Sequence, residues 1–97
     1  MKRLFAVTRA RGPAWKATIP MEEQDGWRPH ADFMNSLQDE SFVVLGGPLD
    51  GTSEVLLIVR ADSTEQIYTR LERDPWGPEM LFVVKVAAWT LRLGRLD

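Results

Sequence analysis

His30 is the only histidine in the chain, and a neutral imidazole is the side chain best matched to proton transfer near neutral pH. It stands between Trp27 and Phe33-Met34 at the i, i+3, i+4 spacing that shares one face of a helix, so it points inward. Taken alone, a lone histidine on an apolar helix face is more often a packed core or interface residue than a catalyst. A catalytic role needs a carboxylate on one ring nitrogen, to fix the tautomer and stabilise the protonated ring. Asp74 has the best position for that, just ahead of Pro75 and Trp76 at the end of a second helix. Its plainer role is a turn aspartate before proline. Asp32 and Asp39 fall off the His30 face of the first helix and read as solvated.

Other groups carry weaker signals. Gly46-Gly47-Pro48 lets a ligand approach the backbone at a strand end, or simply ends the strand. It lacks the context of a nucleotide-phosphate loop. Arg9 and Arg11 stand where the first strand enters a long loop and suit an anionic substrate, although surface arginines are common there. Trp15, Trp27, Trp76 and Trp89 are many for this length. They read either as core and dimer contacts or as the lining of an aromatic-substrate pocket, in which Trp76 is the residue beside Asp74. With one histidine and no cysteine, a metal site would need carboxylates for nearly all its ligands, so no metal is expected. No serine sits in a nucleophile elbow, which disfavours covalent acyl chemistry. Glu22-Glu23 reads as a solvated pair rather than a catalytic dyad.

The elements that must position these residues belong to one domain spanning residues 1–97. A chain of 97 residues with 44% hydrophobic and 27% charged residues has ordinary globular composition, and folding should bury about two-thirds of its surface. Twelve basic against fourteen acidic side chains give a net charge of -2, with no basic run, so nucleic acid is not an expected partner. The four apolar residues after Met1-Lys2-Arg3 are too few for a signal-peptide core, and no apolar run approaches membrane-spanning length. The expected address is cytoplasmic.

Leu4 to Arg9 reads as a strand broken by Arg11-Gly12-Pro13. The long segment after it, with Gly12, Pro13 and Pro20, reads as a loop that could act as a lid. Helical spacing runs from Gly26 to Glu40, with Pro29 acceptable because it falls near the first turn. Phe42 to Leu45 and Val55 to Val59 form apolar strands joined around Asp50-Gly51. Ser63 and Gln66 make a capping box for a second helix that faces inward through Ile67 and Leu71 and ends at Asp74-Pro75. A last strand runs from Leu81 to about Ala88, with an apolar-polar alternation that continues towards Leu93.

The order βαββαβ is that of the ferredoxin-like α+β class: a four-stranded antiparallel sheet with two helices on one face. The strands 42–45, 55–59 and 81–84 are apolar on both sides of the pleat, where a solvated face should alternate. The face without helices would be a large apolar patch, so a homodimer joined sheet to sheet is expected. The alternative is a terminal segment folded over that face.

Four places give the chain a further reading. Leu4-Phe5-Ala6-Val7, the helix segment His30-Ala31-Asp32-Phe33-Met34, the strand end Gly46-Gly47-Pro48-Leu49 and the step Asp74-Pro75-Trp76 followed by Trp89 resemble, in order and spacing, the YCII-related (YciI-like) family. The likeness covers nearly the whole chain, with Pro29 before the histidine as a departure. The resemblance implies a dimeric α+β barrel with an active site centred on a histidine and an aspartate, which fall here on His30 and Asp74. Some relatives resemble enzymes of aromatic breakdown, including chloride elimination from chlorinated hydroxyquinols, and no substrate carries over from them.

Two functions follow as expectations. One is a cofactor-free enzyme, a lyase, isomerase or hydrolase acting on a small molecule. In it His30 is the acid or base, Asp74 its partner, Gly46, Gly47, Arg9, Arg11 and Trp76 contact substrate, and the loop from Arg11 to Lys16 closes over the pocket. The other is a non-catalytic ligand-binding or regulatory dimer in which His30 only hydrogen-bonds.

Overall fold

The computed structural model describes residues 1–96. The first strand, β1, spans Arg3–Arg11, and after a single 3-10 turn at Met21–Glu23 the first helix, α1, spans Trp27–Asp39. Then come β2 (Val43–Pro48), β3 (Glu54–Ala61), α2 (Thr64–Leu71) and β4 (Leu81–Trp89). The strands form one antiparallel sheet in the order β2-β3-β1-β4, an α+β arrangement compatible with a ferredoxin-like fold. None of its helices is long and apolar enough to cross a membrane among the described residues.

Local chemistry explains the helix limits. Pro29 lies in the first turn of α1, where a missing N–H costs no intrahelical bond. The Ser63 hydroxyl accepts from the Gln66 N–H and caps α2. The return arm of the capping box goes one residue further back, from the Asp62 N–H to the Gln66 side chain at 2.7 Å. The helix stops at Leu71, three residues before Asp74, which therefore sits in a turn beyond it. Strands β1 and β2 each run beyond their apolar runs, to Arg11 and Pro48, because pairing with neighbours continues into the polar and glycine positions.

Register assigns the faces. Phe5 pairs with Val59 and Val7 with Leu57, and these four are buried under the helices with Leu37 of α1 and Ile67 and Leu71 of α2. Alternation along β1 sends Arg9 and Arg11 to that same face. The other face carries exposed Leu45, Phe82 and Trp89. In the segment after β4, Leu93 is 88% exposed while Leu91 and Leu96 are half-buried.

The sheet has two irregularities. Between β1 and β4 the register shifts at Thr8/Arg9, and between β2 and β3 it shifts between Val43 and Leu45. Bulges of this kind bend a strand and re-aim side chains. Both fall beside the cavity that contains His30.

Candidate functional site

Asp74 is the hub of the site, its side chain fully buried. The Arg9 Nη1 donates to Asp74 Oδ2 at 3.0 Å, and the Trp76 N–H donates to Oδ1 at 2.8 Å. His30 Nδ1 lies 2.9 Å from each carboxylate oxygen. Because an ionised carboxylate only accepts, Nδ1 carries the proton and Nε2 is left as the lone-pair nitrogen of the neutral ring. Nε2 has no hydrogen-bond partner among the described residues, and His30 lines a cavity of about 470 Å³.

Three elements meet to make this arrangement. β1 brings Arg9, α1 brings His30, and the turn after α2 brings Asp74 and Trp76. The Trp76 backbone bond to Oδ1 closes an Asx turn, the local structure that Asp before Pro favours. The Trp76 indole stacks on the imidazole with ring centroids 3.9 Å apart, and its Nε1–H donates to the Asp25 carbonyl at 2.7 Å just before α1. Trp27 and Trp15 pack against the same indole.

Arg9 is the buried cation of the group. Burial pushes its pKa below the ordinary arginine value, against the attraction and hydrogen bond of Asp74, which act to raise it. Desolvation thus outweighs the ion pair, and such a pair contributes little net stability to a fold. Arg9 is expected above as a substrate contact, and the structure ties its Nη1 to Asp74 while leaving its Nε buried without a partner.

The cavity lies between α1 and the sheet and extends along β2, which is an edge strand. Trp27, Ala31, Met34 and Gln38 line it from one side of α1, and Val43 to Pro48 line it from β2. Gly46 and Gly47 are both in that wall, with different constraints. A side chain at Gly46 would run into Leu57 Cδ2, so its absence serves strand packing, whereas Gly47 faces open space. Arg11 lines the mouth with its guanidinium 4.4 Å from the centroid of the Trp15 ring. Trp89 does not line the cavity. Asp32 lies on the exposed side of α1 near Arg28.

The segment from Gly12 to Gly26 lines the cavity through Trp15 and Met21 and is tied to its surroundings by hydrogen bonds. Gly12 and Ala14 donate backbone N–H groups to the Met80 and Glu79 carbonyls. The buried Gln24 amide accepts from the Lys16 N–H and donates to the Lys16 and Ile19 carbonyls. Gln24 and the rim residue Arg28 were not visible as site residues in the sequence; a glutamine in a polar stretch carries no mark of burial. Among the described residues no three His, Asp or Glu side chains converge as a metal site would require.

No protein-family model matches the chain, and no curated protein matches it.

Proposed function

We propose that the protein is a small-molecule enzyme in which His30 moves a proton as general acid or base, in lyase, isomerase or hydrolase chemistry. The observation that carries this reading is the bond from His30 Nδ1 to the buried Asp74 carboxylate, 2.9 Å to either oxygen. It orients the ring, fixes the tautomer and leaves Nε2 as the nitrogen able to take a proton. The volume of about 470 Å³ beside it suits a small ligand. The aromatic and aliphatic walls from Trp27, Met34 and Leu57 favour a substrate with an apolar or aromatic body, in line with the resemblance to the YCII-related family. The working form in this reading is a cytoplasmic homodimer joined through the bare sheet face.

One observation favours a second reading. Arg9 shares the Asp74 carboxylate, which leaves less negative charge to stabilise a protonated imidazole. A ring so placed also suits a non-catalytic pocket that only hydrogen-bonds its ligand.

The test is a turnover screen of small organic acids and phenols with wild type and His30→Gln. General acid-base catalysis is worth about a hundredfold to ten-thousandfold. Loss of that order in a folded His30→Gln protein supports the enzyme, and retained turnover removes His30 from the chemistry. Saturable binding with no product from any compound supports the second reading.

A further inference from the structure

The cavity beside the His30–Asp74 pair is lined by cations. Arg9, Arg11 and Arg28 contribute to its wall, and no aspartate or glutamate among the described residues does. The positive charges differ in how they are balanced. Arg9 is answered by Asp74 at 3.0 Å, and Arg28 stands on the exposed rim 3.9 Å from Asp32. Arg11 has no carboxylate partner among the described residues, and its one side-chain hydrogen bond is a long 3.5 Å contact to the Thr52 carbonyl.

The Nε atoms of Arg9 and Arg11 are both buried without a hydrogen-bond partner, and the Arg9 side chain is only 3% exposed. Buried donors of this kind normally find partners, and each one left alone carries its full desolvation penalty. The two arginines alternate on β1 and so leave the same face, towards the cavity. The Nη groups of a guanidinium offer parallel N–H donors that match the two oxygens of a carboxylate. The Arg11 guanidinium lies over the Trp15 ring, 4.4 Å from its centroid.

We infer that the ligand of this site is a small monocarboxylate with an apolar body, whose carboxylate seats on the Arg11 guanidinium. This rests on the small-molecule reading of the same site and names its substrate class. One negative charge is specified because one cation at the cavity mouth, Arg11, has no carboxylate partner among the described residues; a phosphate dianion would be left with a charge unanswered. The body of the ligand runs along Trp27, Met34 and Leu57, which brings it alongside His30.

Trp15, Trp27 and Trp76 line the cavity, so intrinsic fluorescence reports its occupancy. The experiment titrates wild type, Arg11→Gln, Arg11→Lys and His30→Gln with benzoate and with its neutral isostere benzamide. The expected result is saturable binding of benzoate, about tenfold or more tighter than benzamide and weaker at high salt. Arg11→Gln should abolish the preference and Arg11→Lys should retain part of it. Equal affinity for the two probes, no saturable response to benzoate, or a preference that survives Arg11→Gln overturns the inference. His30→Gln separates this from the catalytic reading. If benzoate binding keeps its Arg11 dependence and no compound is turned over, the carboxylate site stands and the acid-base role falls. If neutral phenols alone are turned over, with no effect of Arg11→Gln, the acid-base role stands and the carboxylate site falls.

Discussion

The imidazole of His30 lies flat on the indole of Trp76, with centroids 3.9 Å apart and the planes within 14°. Trp76 follows Asp74 by two residues, so a single turn supplies both the surface under the ring and the carboxylate at its edge. The same residue donates its backbone N–H to Asp74 Oδ1 and its indole N–H to the Asp25 carbonyl. The histidine is therefore held in tilt by the stack and in rotation by the carboxylate. Orientation of this quality is what a positioned acid or base requires.

The tautomer is the most direct consequence. Nitrogen-15 NMR on the single histidine should show the neutral ring protonated at Nδ1, with Nε2 bare. In Asp74→Asn the side-chain amide both donates and accepts, so the opposite tautomer becomes accessible and a mixture should appear. Turnover, where found, should fall by about a hundredfold or more with it. A wild-type ring protonated mainly at Nε2 would remove the basis for the assigned roles.

Stability should separate two changes at the same position. Asp74→Ala leaves the Arg9 cation buried with no countercharge and should cost about 3–5 kcal/mol in urea unfolding. Arg9→Met combined with Asp74→Asn removes both charges and should lie within about 2 kcal/mol of wild type. The pH dependence has a definite sign. Burial lowers the folded-state pKa of Arg9, so the unfolded chain binds that proton more tightly. The resulting cost is fully present at any pH below the folded value and eases only as the pH rises through it, at the alkaline end. The difference between the two variants should accordingly be flat across the neutral range. A single Asp74→Ala as stable as the double variant would show that Arg9 is not carrying an uncompensated charge.

Gly12 anchors the wall of the cavity. A Cβ there would meet the Glu79 and Pro78 carbonyl oxygens, backbone atoms that cannot swing aside. Gly12→Ala should cost about 1–3 kcal/mol and increase amide hydrogen exchange at Ala14, whose N–H bonds to the Glu79 carbonyl. Gly47→Ala, which meets nothing within 4 Å, should change stability by less than about 1 kcal/mol. Equal costs at the two positions would contradict the close approach at Gly12.

Element type and order were readable because their signals are local. Ser63 and Gln66 announce α2 within four residues, and Trp27, Phe33 and Leu37 announce α1 through their period. His30 and Asp74 were nameable by chemical type, but the approach of one to the other depends on how α1 and the turn after α2 pack, which no local pattern states. Arg9 is harder still. It joins Asp74 across 65 positions, a contact that the alternation along β1 does not state. Trp76 was visible as one of several tryptophans; its stack on His30 is a property of the assembled fold alone.

The sheet face away from the helices supplies the last prediction. Leu45, Phe82 and Trp89 are exposed there at 53%, 40% and 39%, on strands whose other face already holds the core. A second copy of the chain can cover this patch isologously, because a two-fold axis sets the same surface against itself. Phe82→Glu places a charge in that contact and should turn a dimer into a monomer in light scattering. Tyr68, on α2, is exposed to a similar degree at 41%, so Tyr68→Glu adds the same charge elsewhere and should leave the dimer intact. A monomeric wild type would refute the sheet-to-sheet dimer, and a dimer broken by Tyr68→Glu but not by Phe82→Glu would move the interface to the helices.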